Sequence, residues 1–355
     1  REVELQAAGQ LPATVELGDK KSSLAQCLTE EAALHDVTAV LHLADAGSIG
    51  VSDRTGMVSD AGARAIRKVL LHGDFYPEEL EAEDEYDVQM GAAGMRPFAW
   101  PLILQAGGLA KPAGGKLRLT RAGRAALEKP PHDVLKALWE RWLENDGFHE
   151  LSRVDAVKGQ KSKGHPLASA ASCREDLADA LAEAKAGVWI STEAFFKFLI
   201  AGGHRFNAVR NAWALYIGDR QYGSFGYNHV TWEHLNGRFA RAFLLEYAAT
   251  LGIIDVALTP PWGAARDFGD CWGTDSMSCL SRYDGLRYLR LNALGAWIVD
   301  AAEGYRSAAA ETDPLFKVLA NLEVAVTSPA LPPADRLFLE RICDKASDRI
   351  WRLSR

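Results

Sequence analysis

The sequence has no apolar run near the roughly 20 residues that a membrane-spanning helix needs, and its start lacks the apolar core of a signal peptide. The 5 cysteines are odd in number and include no Cys-x-x-Cys pair, which argues against a disulfide framework and a thiolate zinc site. We therefore expect a soluble cytoplasmic protein with reduced thiols and no membrane partner. Because the first residue is Arg1 rather than Met, we also expect a processed chain or a piece of a longer one.

Motifs for nucleotide and metal chemistry are missing as well. A phosphate-binding loop needs GxxxxGK[ST], but Gly115-Lys116 is followed by Leu117. His229 and His234 lie in a segment similar to the HxxEH pattern of zinc proteases, but they are five residues apart. That spacing turns a helix by about 500° and separates the two imidazoles. We expect no catalytic residue, no metal and no cofactor.

The segment 260–283 is rich in Gly, Asp and Trp and allows two interpretations. Cys271 and Cys279 are candidate metal ligands, and acids beside aromatic rings can form sugar or base sites. A loop that its own tryptophans pack against the rest of the fold has the same composition. We favour this second interpretation, because the two cysteines are eight residues apart and no second pair matches them.

Charge is distributed unevenly along the 355 residues, whose net charge is −7. Residues 1–87 hold 18 acidic and 7 basic side chains, residues 88–210 hold 12 and 18, and residues 211–355 hold 17 and 15. Seven of the acids lie within 78–87, a run typical of a solvated loop. Only the middle third is therefore basic enough to attract a polyanion.

With 48% apolar and 25% charged residues, the chain can form the cores of two or three domains. Apolar residues at spacings of three and four predict helices at 32–46, 60–72, 97–106, 134–143, 175–186, 193–201, 232–251 and 333–342. The predicted strands are few and short, at 116–119, 253–258, 286–291 and 317–327. We expect a mainly α fold (α+β) with small β-wings rather than a wound α/β sheet.

An internal repeat indicates how these elements are organised. Residues 117–127 align with 289–299, and both copies contain Leu-Arg-Leu, then Thr120 or Asn292, then a glycine three residues later. Because Thr and Asn cap helix N-termini, each copy predicts a strand followed directly by a helix. Ser59 is expected to cap the helix that begins after it in the same way. A helix, a short strand and a turn precede each copy, which is the order of a winged helix. We expect tandem winged-helix modules, the second with a long wing.

The C-terminal part resembles a known domain. The residues that carry the resemblance are Asp313-Pro-Leu-Phe-Lys-Val-Leu-Ala-Asn-Leu-Glu-Val-Ala-Val, Pro332-Pro-Ala-Asp-Arg-Leu-Phe-Leu-Glu-Arg and Ser347-Asp-Arg-Ile-Trp-Arg-Leu-Ser-Arg355. They are similar to the opening of the helicase-associated domain in the N-terminal region of XPB-type helicases. Residues 280–295 look like the wing and closing helix that precede this domain in large bacterial proteins. The resemblance implies a strand pair, a helix and another strand, and it carries over no catalytic residue.

These observations predict five consecutive regions. In chain order they are an N-terminal extension (1–23), a first winged-helix module (24–128), a helical middle region with a basic loop (129–210), a second winged-helix module (211–312) and the start of a small α+β XPB-like domain (313–355).

Three groups of basic residues are candidates for DNA contact, because cations on a wing or a neighbouring helix bind phosphates without reading sequence. A cation in the first turn of a helix opposes the helix dipole by about 0.3–1 kcal/mol, a cost that a bound anion would offset. The predicted DNA-binding residues are Lys111, Lys116, Arg118, Arg121 and Arg124 of the first wing, Arg64, Arg67 and Lys68 of a preceding helix, and Lys158, Lys161 and Lys163 of a mobile basic loop.

The stretch 213–232 interleaves aromatic residues with glycine and Arg220. Exposed aromatic rings stack the bases of single-stranded nucleic acids. Packing between helices uses the same residues, and we favour packing.

The sequence therefore predicts a DNA-binding accessory module of low sequence specificity that works with a helicase or another protein subunit. One alternative is a winged-helix scaffold that binds only proteins, which the net negative charge favours. A third is a DNA-processing enzyme of tandem winged helices, such as a glycosylase, for which no catalytic motif is found.

Overall fold

The computed structural model describes residues 5–17, 20–77, 94–204, 206–227, 232–265, 267–306, 315–319, 323–328 and 331–353. The acidic run 78–87 and His229 lie outside these residues. The helices are α1 (Glu30–Asp45), α2 (Asp60–Arg67), α3 (Arg96–Ala106), α4 (Arg121–Ala126), α5 (Pro131–Leu143), α6 (Ala170–Ala182), α7 (Thr192–Gly202), α8 (Arg238–Ala242), α9 (Ala293–Ile298) and α10 (Pro333–Ile342). The strands are β1 (Thr14–Leu17), β2 (Lys20–Ser23), β3 (Ala25–Cys27), β4 (Ala110–Ala113), β5 (Lys116–Leu119), β6 (Trp189–Ser191), β7 (Ile254–Leu258), β8 (Leu286–Leu291), β9 (Phe316–Val318), β10 (Glu323–Val326), β11 (Cys343–Lys345) and β12 (Ile350–Leu353).

The prediction of a mainly α fold is wrong. The described residues are 38% helical and 18% strand, with four small antiparallel sheets, so the fold is mixed α/β. The sheets are β1-β2, β4-β5, β3-β7-β8-β6 and β11-β12-β10-β9. The strands that the sequence did not predict have three or four residues each, too few for an alternating pattern to stand out.

The predicted second wing is part of this correction. Its two strands, β7 and β8, are the central pair of a four-stranded sheet and not a free hairpin. All five residues of β7 are buried, whereas a projecting wing would expose one face. A strand with a partner on both sides and both faces covered reads as a nearly continuous apolar run, and 253–258 is such a run apart from Asp255.

Contacts between Cα atoms divide the chain into two units. The first is Leu138–Gly304 with the described residues of Arg1–Glu30 and Tyr76–Gly91. Its core surrounds α8, which π-type turns extend at both ends (Glu233–Gly237 and Phe243–Ala248). Phe239, Phe243 and Tyr247 of this helix are fully buried, and Tyr247 stacks on Trp142 with ring centroids 4.2 Å apart. This helix is buried on all sides and takes a central position in the unit.

Three charged side chains on this helix are also buried, and each has a partner, because an unpaired buried charge is very costly. Arg238 pairs with Asp267 and Asp284, Arg241 donates to the Leu286 carbonyl, and Glu246 accepts from Arg153 and Tyr283.

The carboxylate of Asp255 on β7 joins the sheet to the segment before α1. It accepts from the backbone N–H of Thr29 at 2.8 Å, from Asn292 Nδ2 at 3.3 Å and from Arg290 Nη2 at 2.6 Å. Asp255 is buried, so these bonds replace its lost hydration.

The internal repeat predicts local structure correctly at both sites. Thr120 follows β5 and accepts from the N–H of Gly123 at 3.1 Å, which caps α4. Asn292 follows β8 and accepts from Gly295 N–H at 2.9 Å, which caps α9. The Ser59 cap of α2 is confirmed too. Capping depends on neighbouring residues only, so the same pattern forms in two different sheets.

The second unit is Glu31–Phe75, with the described residues of Ala92–Ala137 and Tyr305–Arg355. The buried Asp36 of α1 accepts from the N–H of Leu71 at 2.7 Å and pairs with Arg96 of α3. The elements β9, β10, α10 and β11 follow the order that the resemblance implies for this part. Their core is made of Val324, Val326, Leu339, Cys343 and Trp351.

None of the helices in the described ranges is both long and apolar enough to cross a lipid bilayer.

The ion pair of Arg174 and Glu150 yields a prediction about stability. Both side chains are fully buried, and Arg174 Nε lies 2.6 Å from Glu150 Oε1. Arg174 also donates to the backbone carbonyls of Trp142, Asn145 and Phe148. Arg174→Met should lower the free energy of unfolding by about 3–5 kcal/mol, because it leaves a buried carboxylate without its cation. Urea unfolding measures this. Arg174→Met/Glu150→Gln should recover part of the stability, and equal stability of the single and double variants would contradict the account.

His149 yields a prediction about pH. Its Nδ1 accepts from the Leu151 N–H at 3.2 Å, and burial together with Arg174 lowers its pKa to about 4. The unfolded chain therefore gains a proton below pH 6.5 that the folded chain takes up only near pH 4. The contribution of His149 to stability is complete above pH 6.5 and falls by up to about 1.4 kcal/mol per pH unit between these values.

The variant His149→Asn keeps a capping acceptor and removes the titration. Urea unfolding between pH 4.5 and 7.5 should show a shallower dependence on pH for this variant than for the native chain. Identical slopes would show that His149 is not the group that titrates.

Candidate functional site

The hairpin of β4 and β5 presents the first group of predicted cations. Its turn is Gly114-Gly115, with φ of +62° and +72°, which glycine adopts without strain and which suits a two-residue hairpin. Along β5, Leu117 and Leu119 are buried, so Lys116 and Arg118 alternate with them on the exposed face. Core packing of the leucines thus holds the cations toward solvent.

The cations of this hairpin lie close to one another. Lys111 is directly opposite Arg118 in the ladder, where like charges destabilise the pair. Arg121 and Arg124 follow in α4 and are exposed, although Arg124 Nε lies 3.6 Å from an oxygen of Asp45. We call the five residues Lys111, Lys116, Arg118, Arg121 and Arg124 the basic hairpin. Such a density of positive charge is typical of a surface that meets an anion.

The predicted cations of α2 differ from one another. Arg64 and Lys68 are exposed, whereas Arg67 is mostly buried and pairs with Asp74 at 3.2 Å. The segment 49–51 joins α2 to the hairpin, since Gly50 bridges Lys116 and also accepts from Ser59. The structure thus leaves Arg64 and Lys68 on the surface and uses Arg67 within the fold.

The sequence predicts a mobile basic loop, whereas the structure shows this loop bonded to a neighbouring segment of the chain. Lys158 exchanges two backbone hydrogen bonds with Tyr216, at 2.8 and 3.2 Å. The side chain of Gln160 donates to carbonyls of the same loop, among them Leu151 O at 3.2 Å. Lys158, Lys161 and Arg220 line a cleft of about 370 Å³, and Lys163 is exposed outside its lining. The loop therefore forms one wall of a defined cleft.

The stretch 213–232, which contributes Ala214, Tyr216 and Arg220 to the cleft lining, also carries exposed aromatic rings, contrary to the packing that the sequence favoured. Trp213 is 58% exposed, Tyr222 59%, Tyr227 64% and Trp272 49%. They form two pairs: Trp213 with Tyr227 at 5.0 Å between ring centroids, and Tyr222 with Trp272 at 5.7 Å. Only part of the stretch packs inside, with Phe225 buried.

Cys271 and Cys279 are both buried, as a packed loop requires. The Cys271 sulfur lies 3.8 Å from Nε2 of His234, whose Nε2 is also 2.7 Å from the Asp267 carbonyl. Burial raises the pKa of the Cys271 thiol, which makes it a poor nucleophile. Among the described residues, no three His, Cys, Asp or Glu side chains are grouped as metal ligands.

Two residues of this surface, Arg220 and Trp272, were not among the predicted DNA-binding residues. Arg220 stands among the aromatic residues of 213–232, and that interleaving was the available signal. Trp272 lies some fifty residues further along the chain, and no local pattern pairs it with Tyr222.

Comparison with protein-family models, with curated proteins and with solved structures found no match for this chain. The resemblance of its C-terminal part to the XPB-type helicase-associated domain stays a prediction.

The close approach of Gly159 to a neighbouring backbone segment yields a prediction about stability. Its φ is +90°, and a Cβ there would lie 2.0 Å from the Ala214 carbonyl oxygen. Gly159→Ala should therefore lower the free energy of unfolding by about 1–3 kcal/mol, because the backbone conformation is strained and the wall must move. Gly164→Ala, in the same loop with open space around it, is the matched control and should change stability by less than about 0.5 kcal/mol. Urea unfolding compares them, and equal effects would contradict the close approach.

Proposed function

We propose that this chain binds DNA through the phosphate backbone, with little dependence on base sequence, and that it positions or remodels DNA for a helicase or another multi-subunit complex. The basic hairpin is the observation that supports this. Its five exposed cations lie within 14 residues, on elements whose orientation is set by buried leucines and a capped helix. Because DNA is the proposed partner, we also propose that the protein is cytoplasmic.

The proposed contact is electrostatic. Each phosphate neutralised by Lys or Arg releases condensed counterions, so affinity falls steeply as salt rises. A two-stranded ribbon also fits the major groove of B-DNA in size. Arg64 and Lys68 of α2, in the same unit, supply further cations for the backbone. Contacts of this kind position a protein on DNA and leave the sequence unread.

The test is a salt series of binding to a fluorescein-labelled duplex, measured by anisotropy. Lys116→Glu/Arg118→Glu/Arg121→Glu should weaken binding at least about tenfold at low salt. The slope of log K against log salt should become shallower by about 0.9 for each phosphate that the variant no longer neutralises.

The control Arg141→Glu/Lys185→Glu/Lys197→Glu makes the same change in net charge at exposed cations outside the hairpin. It should bind nearly as the native chain does. If both triple variants weaken binding equally, overall charge and not the hairpin is responsible. If the native chain binds no duplex, a protein partner becomes the better explanation of the hairpin.

A further inference from the structure

The first unit carries a second surface that differs in chemistry from the basic hairpin. The described residues include eight large hydrophobic side chains that are exposed, and four of them are the rings Trp213, Tyr222, Tyr227 and Trp272. Exposed apolar side chains that occur singly need no explanation, but a group of this kind marks an interaction site. We call these rings, with Lys158, Lys161 and Arg220, the aromatic cleft.

The rings are supported from behind. A Cβ on Gly226 would lie 2.1 Å from Trp213 Cδ2, so one side of this indole rests against backbone. Gly218 is similarly 3.5 Å from the Trp272 ring, measured from the position of a Cβ. Since both tryptophans remain about half exposed, their outer sides are open to solvent. Rings held in place lose little entropy when a planar ligand stacks on them.

The cations line a cleft to which the segment of Trp213 and Tyr222 also contributes. Lys158, Lys161 and Arg220 line one cleft with Tyr216, and Arg220 stands in the tight turn just before Tyr222. Asp155 also lines the cleft, but it is paired with Arg282 at 2.8 Å, which offsets its charge. Three cations against one paired carboxylate give the cleft lining a net positive charge.

An unsatisfied hydroxyl adds to this. Ser162 lines the same cleft, and its Oγ is buried and makes no hydrogen bond within the described part of the chain. A hydroxyl in this position can donate to a phosphate oxygen or to the water that the phosphate carries.

We propose that the aromatic cleft binds single-stranded DNA. The unpaired bases stack on the rings, and the phosphates lie along Lys158, Lys161 and Arg220. Asp270 and Asp275 flank Trp272 in sequence, so the phosphates are expected on the lysine side and the bases on the tryptophan side. In a duplex the bases stack on one another and are paired, so none is available to stack on these rings. The proposal does not depend on the basic hairpin, whose residues belong to the other unit.

The experiment measures binding of a fluorescein-labelled 15-nucleotide oligo(dT), which forms no duplex, to the full chain. Trp213→Ala and Tyr222→Ala, one from each pair, should each weaken binding by about 5- to 150-fold, the range for removal of one stacked base. Trp213→Phe should recover most of the affinity, because it restores a ring. Phe338→Ala removes an exposed ring elsewhere and should leave binding unchanged.

The hairpin variant Lys116→Glu/Arg118→Glu/Arg121→Glu separates this inference from the proposed function. It should lose duplex binding and keep most of its oligo(dT) binding, whereas Trp213→Ala should show the reverse. Circular dichroism and urea unfolding of every variant establish that it is folded.

Three results would overturn the inference. The first is that the native chain does not bind oligo(dT). The second is that Trp213→Ala and Tyr222→Ala bind as the native chain does. The third is that inorganic tripolyphosphate displaces oligo(dT) equally well from the native chain and from Lys158→Glu/Lys161→Glu. That result would show that these two lysines do not bind the phosphates.

Discussion

The buried carboxylate of Glu246 attaches two segments of the first unit to its central helix. It is fully buried in the central helix and accepts from Arg153 at 2.7 Å and from Tyr283 at 2.6 Å. A buried carboxylate without such donors would cost several kcal/mol, so the loop of Arg153 and the turn of Tyr283 must both reach the helix. The neighbouring pair of Arg282 and Asp155, at 2.8 Å, holds the same two segments together a second time.

The same pairs also support the surface of the unit. Arg153 and Asp155 lie five and three residues before Lys158. The backbone pairing of Lys158 with Tyr216 continues the attachment to the aromatic segment. The cleft wall is therefore connected to the core by buried charge, and not only by loop contacts. Binding residues on a loop need such support, because a flexible loop loses entropy when it orders around a ligand.

The two candidate surfaces differ in chemistry. The basic hairpin offers closely spaced charge with no exposed ring among its five residues, which suits the phosphates of a duplex. The aromatic cleft combines rings with three cations, which suits strands whose bases are unpaired.

The sequence by itself determined the local features of this protein. Caps at Ser59, Thr120 and Asn292, the strand at Lys116–Leu119 and the helix at Pro333–Ile342 were predicted because each depends on residues within a few positions. Alternation along β5 is local in the same way, because it exposes Lys116 and Arg118 once Leu117 and Leu119 are buried.

The tertiary structure alone decided the rest. It placed β7 and β8 inside a four-stranded sheet, made the fold mixed α/β and used Arg67 in an ion pair. It also brought Trp272 beside Tyr222 and bonded the loop of Lys158 to Tyr216, so that this loop lines the cleft. These outcomes depend on contacts between residues far apart in the chain, and one sequence carries no pattern that records which distant segments meet.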